Sequence, residues 1–152
     1  MLITVDSREQ NPLSFDKLGV EKVEVAGLAF GDYSAIIHGK VVPIVFERKG
    51  ISDLFGTLTA GHARFKREME RAREANFKLI VVIEGTYTDV WNGIPHSKMD
   101  GEQIIKILNT MYAKYDLEFW FCESRRVMAR RIVDLYSAIE RGYSDGLENA
   151  PF

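Results

Sequence analysis

The sequence contains one cysteine, Cys122, among 152 residues. A single cysteine excludes an internal disulfide and a cysteine-based metal cluster, and this usage is typical of a reducing compartment. The chain also lacks any run of about 18 apolar residues, and no signal-peptide pattern follows Met1, so we expect neither a membrane span nor secretion. These absences together predict a cytoplasmic protein.

A strong charge of one sign is also lacking, since the formal net charge is −2. This value argues against a polycation that wraps nucleic acid, but the basic residues are unevenly distributed. Residues 64–73 hold five basic and two acidic side chains, and residues 125–131 hold four arginines and no acid. Such patches suit a polyanion contacted over a limited area. A solvated helix face with ion pairs such as Arg64–Glu68 is the alternative.

The pattern of apolar residues predicts one α/β domain. Short apolar runs bounded by turn residues indicate strands within 2–6, 22–37, 41–49, 77–85 and 117–124. Apolar residues at helical spacing indicate helices that include 51–58, 65–72, 104–111 and 128–139. Turn residues in 86–101 predict a long loop, and residues 144–152 are expected to form a flexible tail. This order of elements predicts a mixed sheet flanked by helices in a single domain over residues 1–143.

Three acids lie at the ends of apolar strands: Asp6 after "LITV", Asp32 in "FGDY" and Glu47 after "VVPIVF". Alternate side chains of a strand share a face, so Glu47 and Lys49 are expected on one face and Arg48 on the other. If these strands are neighbours, the three carboxylates converge at one edge of the sheet.

Carboxylates that crowd together in this way need a compensating cation. Oxygen ligands suit hard divalent ions such as Mg²⁺ or Mn²⁺, which support hydrolysis at phosphorus. Asp53, in the first turn of the next predicted helix, can fold back towards the same place, and Lys49 can neutralise charge that develops on phosphorus. The alternative is that the acids face solvent or form ion pairs with Arg8 and Arg48.

Three short motifs appear in order along the chain: "VDSRE" (5–9), "GDY" (31–33) and "ERKGISDL" (47–54). Together they resemble the nuclease domain of the XPF family of structure-specific DNA endonucleases, whose pattern is V-D-x-R-E, G-D-Y and E-R-K-x-x-x-D. That family belongs to the PD-(D/E)xK restriction-endonuclease-like superfamily. The resemblance extends over about residues 2–141 and implies a restriction-endonuclease-like core with a mixed sheet flanked by helices.

The resemblance also implies roles for individual residues. Asp32 and Glu47 match direct metal ligands, Asp6 and Asp53 match acids that act at the metal or through water, and Lys49 matches the catalytic lysine.

The matched basic positions, which contact phosphate or brace the acids, are Arg8, Arg48 and Arg64. Glu68 stands where the family often has Gln, so an ion pair with Arg64 is its simpler role. Glu84 aligns with a family acid at a strand end.

The expected function is that of an Mg²⁺- or Mn²⁺-dependent endonuclease acting on branched, flap or fork DNA in repair or recombination, of microbial or mobile-element origin. The residues expected to hold the DNA backbone are Arg64, Lys66, Arg67, Arg125 and Arg126. Two alternatives stay open: a catalytically silent DNA-binding or dimerisation scaffold, and an exonuclease or restriction-type enzyme of the same fold.

Many family members append a tandem helix-hairpin-helix module that grips duplex DNA and drives dimerisation. The resemblance here is confined to the nuclease core, which leads us to expect a separate DNA-binding partner. We also expect a homodimer, because the family's nuclease domain makes a dimer contact of its own. An apolar stripe on the last predicted helix would serve either that contact or the domain's own core; it comprises Ile132, Leu135, Tyr136 and Ile139.

Overall fold

The computed structural model describes residues 1–144. Its strands are β1 (Leu2–Asp6), β2 (Lys22–Ala26), β3 (Tyr33–Ile37), β4 (Lys40–Val41), β5 (Ile44–Gly50), β6 (Lys78–Glu84) and β7 (Glu118–Cys122). Its helices are α1 (Ile51–Leu58), α2 (His62–Glu74), α3 (Tyr87–Asn92), α4 (Gly101–Tyr115) and α5 (Arg125–Ser144). Helix α5 therefore includes the first residue of the predicted tail, and the rest of that tail lies outside the described residues.

The strands form one mixed sheet in the order β2-β1-β3-β5-β6-β7, with β4 paired to β3. The β1–β3 and β3–β5 pairs are antiparallel, whereas β5–β6 and β6–β7 are parallel. The β1–β2 pair is parallel as well. Parallel neighbours require a crossover connection, and helices α1 with α2, and α3 with α4, occupy those between β5 and β6 and between β6 and β7. The predicted α/β class, a mixed sheet flanked by helices, is confirmed.

The sheet has a hydrophobic core on each face. Alternation along β5 separates the two cores, because Phe46 packs with α5 on one face and Val45 packs with α1, α2 and α4 on the other. Glu47 and Lys49 continue the face of Val45, as the strand period requires. The end of β5 therefore delivers both side chains towards helices α1 and α2.

The apolar stripe of α5 is used by the domain's own core. Ile132 and Tyr136 are fully buried, Ile139 is buried and Leu135 is partly buried in the same cluster. The Tyr136 hydroxyl donates a 2.8 Å hydrogen bond to the Ile44 carbonyl, which fixes α5 against β5. Of the two uses predicted for this stripe, the structure shows core packing.

The prediction of a loop throughout 86–101 was wrong, because residues Tyr87–Asn92 form α3. A capping box starts this helix: the Thr86 side chain accepts from the Asp89 amide, and the Asp89 side chain accepts from the Thr86 amide. Val90 is the buried residue of α3. Helix α4 approaches α3 so closely at Gly101 that any side chain at this position would collide with the Val90 carbonyl. The abundant turn residues concealed this capping signal.

Within residues 1–144, no helix combines the length and the apolar content that crossing a bilayer requires.

Candidate active site

A cleft of about 490 Å³ lies between the end of β5, helix α1 and the first half of α2. Its polar lining includes Glu47, Lys49, Asp53, Arg64 and Glu68. A neighbouring cavity of about 200 Å³ shares Glu47 and Glu68 with this cleft and adds Asp6, Arg8, Asp32 and Arg71. The two spaces together, which we call the active-site cleft, contain the acidic side chains that the sequence motifs single out.

Glu47 carries the most perturbed carboxylate of the cleft. Burial, followed by the charge of Asp32, raises the pKa of Glu47 to about 7, although Lys49 acts in the opposite direction. The Lys49 Nζ lies 3.3 Å from Glu47 Oε1, and both side chains are largely buried. Glu47 therefore changes its charge close to neutral pH, with an ammonium group at its side.

Asp32 is fixed by backbone contacts to both neighbouring strands. Its amide donates to the Phe46 carbonyl at 2.7 Å, and its carbonyl accepts from the Asp6 amide at 2.8 Å. Its Oδ2 accepts a 2.8 Å hydrogen bond from the Arg48 amide. Burial nevertheless raises the pKa of Asp32 above its ordinary value, and this hydrogen bond only partly opposes the shift. The carboxylate is therefore held in place beside β5.

The preceding residue, Gly31, allows this position. Its φ of +69° lies in the region that favours glycine, and a Cβ there would meet the Phe46 carbonyl oxygen at 2.8 Å. Only a residue without a side chain lets the loop approach β5 this closely. Gly31 thus brings Asp32 beside the strand that carries Glu47.

The donor set of the cleft fits a hard divalent cation. Among residues 1–144, neither Asp32 Oδ1 nor Glu47 Oε2 accepts a hydrogen bond, and the charge of Asp32 raises the pKa of Glu47. A divalent ion bound by oxygen ligands relieves such repulsion. The described residues contain no group of three His, Cys, Asp or Glu side chains arranged to hold a metal. The cleft therefore offers a pair of carboxylates rather than a triad.

Asp6 is engaged by other partners. Its Oδ2 accepts from Arg8 Nε at 2.8 Å, and its Oδ1 accepts from the Leu28 amide at 2.9 Å. Burial alone would raise the pKa of Asp6, but these partners lower it overall. The same Arg8 donates through Nη2 to the Leu28 carbonyl at 2.9 Å. The ion pair with Arg8, which the sequence left open as an alternative, is present.

Arg48 points to the opposite face of β5, as the strand period predicts. Its Nε and Nη2 donate to the two carboxylate oxygens of Glu9 at 3.0 and 2.7 Å, in a pair that is largely buried. The Tyr33 hydroxyl donates to Glu9 at 3.4 Å and accepts from the Leu13 amide at 2.9 Å. This ion pair ties the segment after β1 to β5.

Sequence reasoning did not select Glu9 or Tyr33 as site residues. Glu9 lies inside the motif "VDSRE" and Tyr33 inside "GDY". Their place in these motifs is the sequence signal that could have identified them.

Of the basic residues predicted to hold DNA, Arg64 is the one that lines the active-site cleft. Its Nε lies 3.6 Å from Glu68, which confirms the ion pair predicted at that spacing. Asp53 lies in the first turn of α1 and lines the same cleft. Glu84, at the end of β6, pairs in register with Gly50 and lines neither part of the cleft.

The other predicted DNA contacts lie outside the active-site cleft. Lys66 Nζ sits 5.3 Å from the centre of the Tyr115 ring, and Arg67 is exposed on α2. Arg125 and Arg126 begin α5, on the other face of the sheet, where Arg126 is exposed. Arg125 Nη2 donates to the carbonyls of residues 11 and 12 at 2.7 and 3.0 Å, which braces the segment after β1.

Comparison with known proteins identifies the family. A family model described as ERCC4 domain matches residues 5–135. The chain belongs to the ERCC4 domain family. This membership supports a DNA nuclease in general and confirms the resemblance expected from the motifs.

Solved structures show that this ERCC4 domain has the fold of an XPF nuclease domain. XPF from Aeropyrum pernix superposes with a TM-score of 0.71 at 22% identity, over 97% of this chain and 69% of that chain. XPF from Aeropyrum pernix in complex with DNA gives a TM-score of 0.66 at 20% identity, over 95% and 66%. The chain thus spans about two thirds of the length of these proteins. No curated protein sequence matches it.

Proposed function

We propose that this ERCC4 domain is an Mg²⁺- or Mn²⁺-dependent endonuclease that hydrolyses phosphodiester bonds in DNA at branched, flap or fork structures. The observation that carries the proposal is the juxtaposition of Asp32 and Glu47 in one cleft, with Lys49 Nζ 3.3 Å from Glu47. A carboxylate pair with an adjacent amine suits phosphoryl chemistry and has no role in packing. Repair and recombination are the processes that generate such DNA structures.

Asp32 and Glu47 would hold the metal ion directly, since each has an oxygen that accepts no hydrogen bond within residues 1–144. A bound divalent ion would polarise a phosphoryl oxygen and lower the pKa of a water. Asp53, exposed in the same cleft, and Asp6, whose oxygens bind Arg8 and Leu28, would act through water rather than as direct ligands.

Lys49 has two tasks in this proposal. Beside Glu47 it stabilises the ionised carboxylate, because the ammonium group opposes the burial that raises the pKa of Glu47. In the cleft it also supplies positive charge where negative charge accumulates on the phosphate oxygens during hydrolysis. A lysine at this position thus serves both the ligand and the substrate.

Basic side chains around the cleft would hold the substrate. Arg64 is 82% exposed at the cleft, where its planar guanidinium can bind a phosphate in a bidentate manner. Arg8 is 74% exposed at the adjoining cavity, where it can make a similar contact while it holds Asp6. The DNA complex of XPF from Aeropyrum pernix supports DNA as the substrate. Arg67 and Arg126, both exposed, would contact DNA outside the cleft.

The proposal includes a homodimer and a separate partner that grips duplex DNA. Because the apolar stripe of α5 is packed in the core, the contact between subunits would use another surface. Sedimentation of the protein over a range of concentrations, with and without DNA, tests the dimer.

Cleavage assays test the enzymatic proposal. The wild-type protein, Asp32→Asn and the control Asp134→Asn are incubated with Mn²⁺ and end-labelled flap, four-way, linear duplex and single-stranded DNA. Asp134 is exposed and pairs with Arg130 on α5, away from the cleft. We expect internal cuts near the branch, a loss of about a hundredfold or more in Asp32→Asn, and no change in the control.

Each alternative function gives a different result in these assays. Binding without cleavage by the wild-type protein would identify a scaffold. A ladder that starts from free ends would identify an exonuclease, and cuts confined to one base sequence would identify a restriction-type enzyme.

A further inference from the structure

A groove leaves the active-site cleft and runs over the end of α1. Its first part, about 590 Å³, lies between α1 and residues 94–99 and shares Ser52 and Gly56 with the cleft. Its second part, about 610 Å³, lies between α2 and α4 and shares Thr59 and Ala60 with the first part. The shared residues make the three spaces neighbours along α1. We call the two parts outside the cleft the basic groove.

The basic groove is lined by lysines. Among residues 1–144, no Asp or Glu lines either part. The lysines comprise Lys98 in the first part and Lys66, Lys106 and Lys114 in the second, and His96 and His62 line the same parts. On α4, Lys106 and Lys114 are eight residues apart and share one face of the helix, separated by about 12 Å along its axis. Their spacing presents a row of positive charge rather than a single site.

Ion pairs within the protein neutralise this charge only in part. Lys106 lies 3.5 Å from Glu102, and Lys66 lies over the Tyr115 ring. Within residues 1–144, Lys98 and Lys114 have no carboxylate within 4.0 Å. In a protein whose net charge is −2, an acid-free groove with uncompensated lysines attracts a polyanion. A surface that is merely solvated would carry acidic as well as basic side chains. The lack of acids in the described lining of both parts therefore favours a binding role.

We propose that the basic groove binds the backbone of a single DNA strand that extends from the scissile phosphate. This inference rests on the proposed nuclease function, which places that phosphate at Glu47. The basic groove extends from α1 to the space between α2 and α4, and a flexible single strand follows such a surface more readily than a stiff duplex. The Tyr115 ring and the apolar side chains of Ile107 and Met111 line the groove, and an aromatic ring beside lysines suits unpaired bases.

Binding measurements without metal test this inference separately from cleavage. The variant Lys106→Ala/Lys114→Ala is compared with wild type and with the control Lys17→Ala/Lys22→Ala, which also removes two exposed lysines. Lys17 precedes β2 and Lys22 lies on it, at the opposite edge of the sheet. Fluorescence anisotropy in EDTA gives the Kd of each protein for a single-stranded oligonucleotide and for a duplex of the same length, over a range of salt concentrations.

We expect the groove variant to bind single-stranded DNA about tenfold more weakly, with a salt slope reduced by about 1.4, or about 0.7 for each lost contact. The control should keep the wild-type Kd and slope. Equal losses in both variants, a loss confined to duplex, or no single-strand binding by wild type would overturn the inference.

Parallel cleavage assays with Mn²⁺ keep the two proposals distinguishable. If the wild-type protein cleaves DNA and the groove variant cleaves it equally well, the groove proposal is contradicted and the nuclease proposal stands. If the wild-type protein binds single-stranded DNA, the groove variant binds it weakly and neither cleaves it, the nuclease proposal is contradicted and the groove remains a DNA-binding site. Thermal unfolding of all three proteins verifies that the substitutions leave the fold intact.

Discussion

The backbone amide of Arg48 donates a 2.8 Å hydrogen bond to Asp32 Oδ2. The strand that supplies Glu47 therefore also holds the second carboxylate of the pair. The Arg48 side chain points away from the cleft and binds Glu9 on the opposite face of the sheet. Through this one residue, the Glu9–Arg48 ion pair on the opposite face of the sheet is linked to the position of a proposed metal ligand.

The affinity for Mg²⁺ should rise with pH and level off above the pKa of Glu47, which is about 7. Metal ligands must be deprotonated, so each pH unit below this value should weaken binding about tenfold. Titration calorimetry between about pH 5.5 and pH 8 would measure this dependence. Without metal, the variant Asp32→Asn should lower the pKa of Glu47 in an NMR titration, since it removes the charge of Asp32 that raises this pKa. An affinity independent of pH would contradict the assignment.

Without metal, Glu47 should make the protein less stable as pH rises. Its folded-state pKa of about 7 exceeds the ordinary value of 4.5. Its stabilising contribution is therefore complete below about 4.5 and is lost as pH rises through about 7. Urea unfolding should show a steeper decline in wild type than in Glu47→Gln, in which Asp32, whose pKa burial also raises, still contributes. Saturating Mg²⁺ should reverse the trend, because the ion binds the ionised form in the folded state.

Glu9→Gln should destabilise the fold and impair cleavage without changing the cleft lining. The Glu9 and Arg48 side chains are 7% and 17% exposed, and breaking a buried pair costs about 3 kcal/mol. Urea unfolding would measure this loss, with the exposed Glu74→Gln as the control expected to stay within about 0.5 kcal/mol of wild type.

The effect of Glu9→Gln on catalysis separates positioning from general stability. At a temperature where the variant is fully folded, kcat should fall while Mg²⁺ affinity also weakens, because Asp32 is less firmly held through Arg48. Unchanged metal affinity in the folded variant would show that the pair serves stability alone.

Gly31→Ala should cost more stability than Gly39→Ala, although the two glycines have similar φ angles of +69° and +75°. Both substitutions introduce the strain of a positive φ, of about 1 kcal/mol. At Gly31 the new Cβ would also meet the Phe46 carbonyl at 2.8 Å, whereas at Gly39 nothing lies within 4 Å. The difference in the free energies of unfolding isolates this contact. Equal losses would show that the approach of the loop to β5 relaxes at little cost.

Arg64→Ala should leave stability almost unchanged and still reduce cleavage. The side chain is 82% exposed, and its pair with Glu68 at 3.6 Å is a surface interaction worth at most about 1 kcal/mol. A tenfold or larger rise in KM for DNA, with thermal unfolding unchanged, is the expected result. Glu68→Gln should keep cleavage near the wild-type rate, and a loss as large as that of Arg64→Ala would assign Glu68 a direct role.

The fold was largely predictable because local patterns and the architecture agree. The alternation of side chains along β5 correctly predicted Glu47 and Lys49 on one face and Arg48 on the other. Such patterns act over a few residues, so a sequence displays them directly. The short helix α3 was not predicted, because its capping box lies among turn residues.

The site was less predictable, because its contacts join distant segments. Nothing local indicates that Glu9 binds Arg48, 39 residues away, or that the Leu28 amide binds Asp6. Arg125 resembles the other arginines of its run, yet it braces residues 11 and 12 rather than facing the active-site cleft. The basic groove combines residues of α2 and α4, which become neighbours only in the folded chain.

The parallel pairing of β5 with β6 has a consequence for how activity appears during synthesis. Before β6 can pair, the chain must run back through α1 and α2, which are the walls of the active-site cleft. Non-local pairing of this kind is completed late in folding. A nascent chain that ends before residue 78 therefore holds every acid of the motifs, but it lacks the central strand β6, beside which β5 pairs and against which α1 and α2 pack.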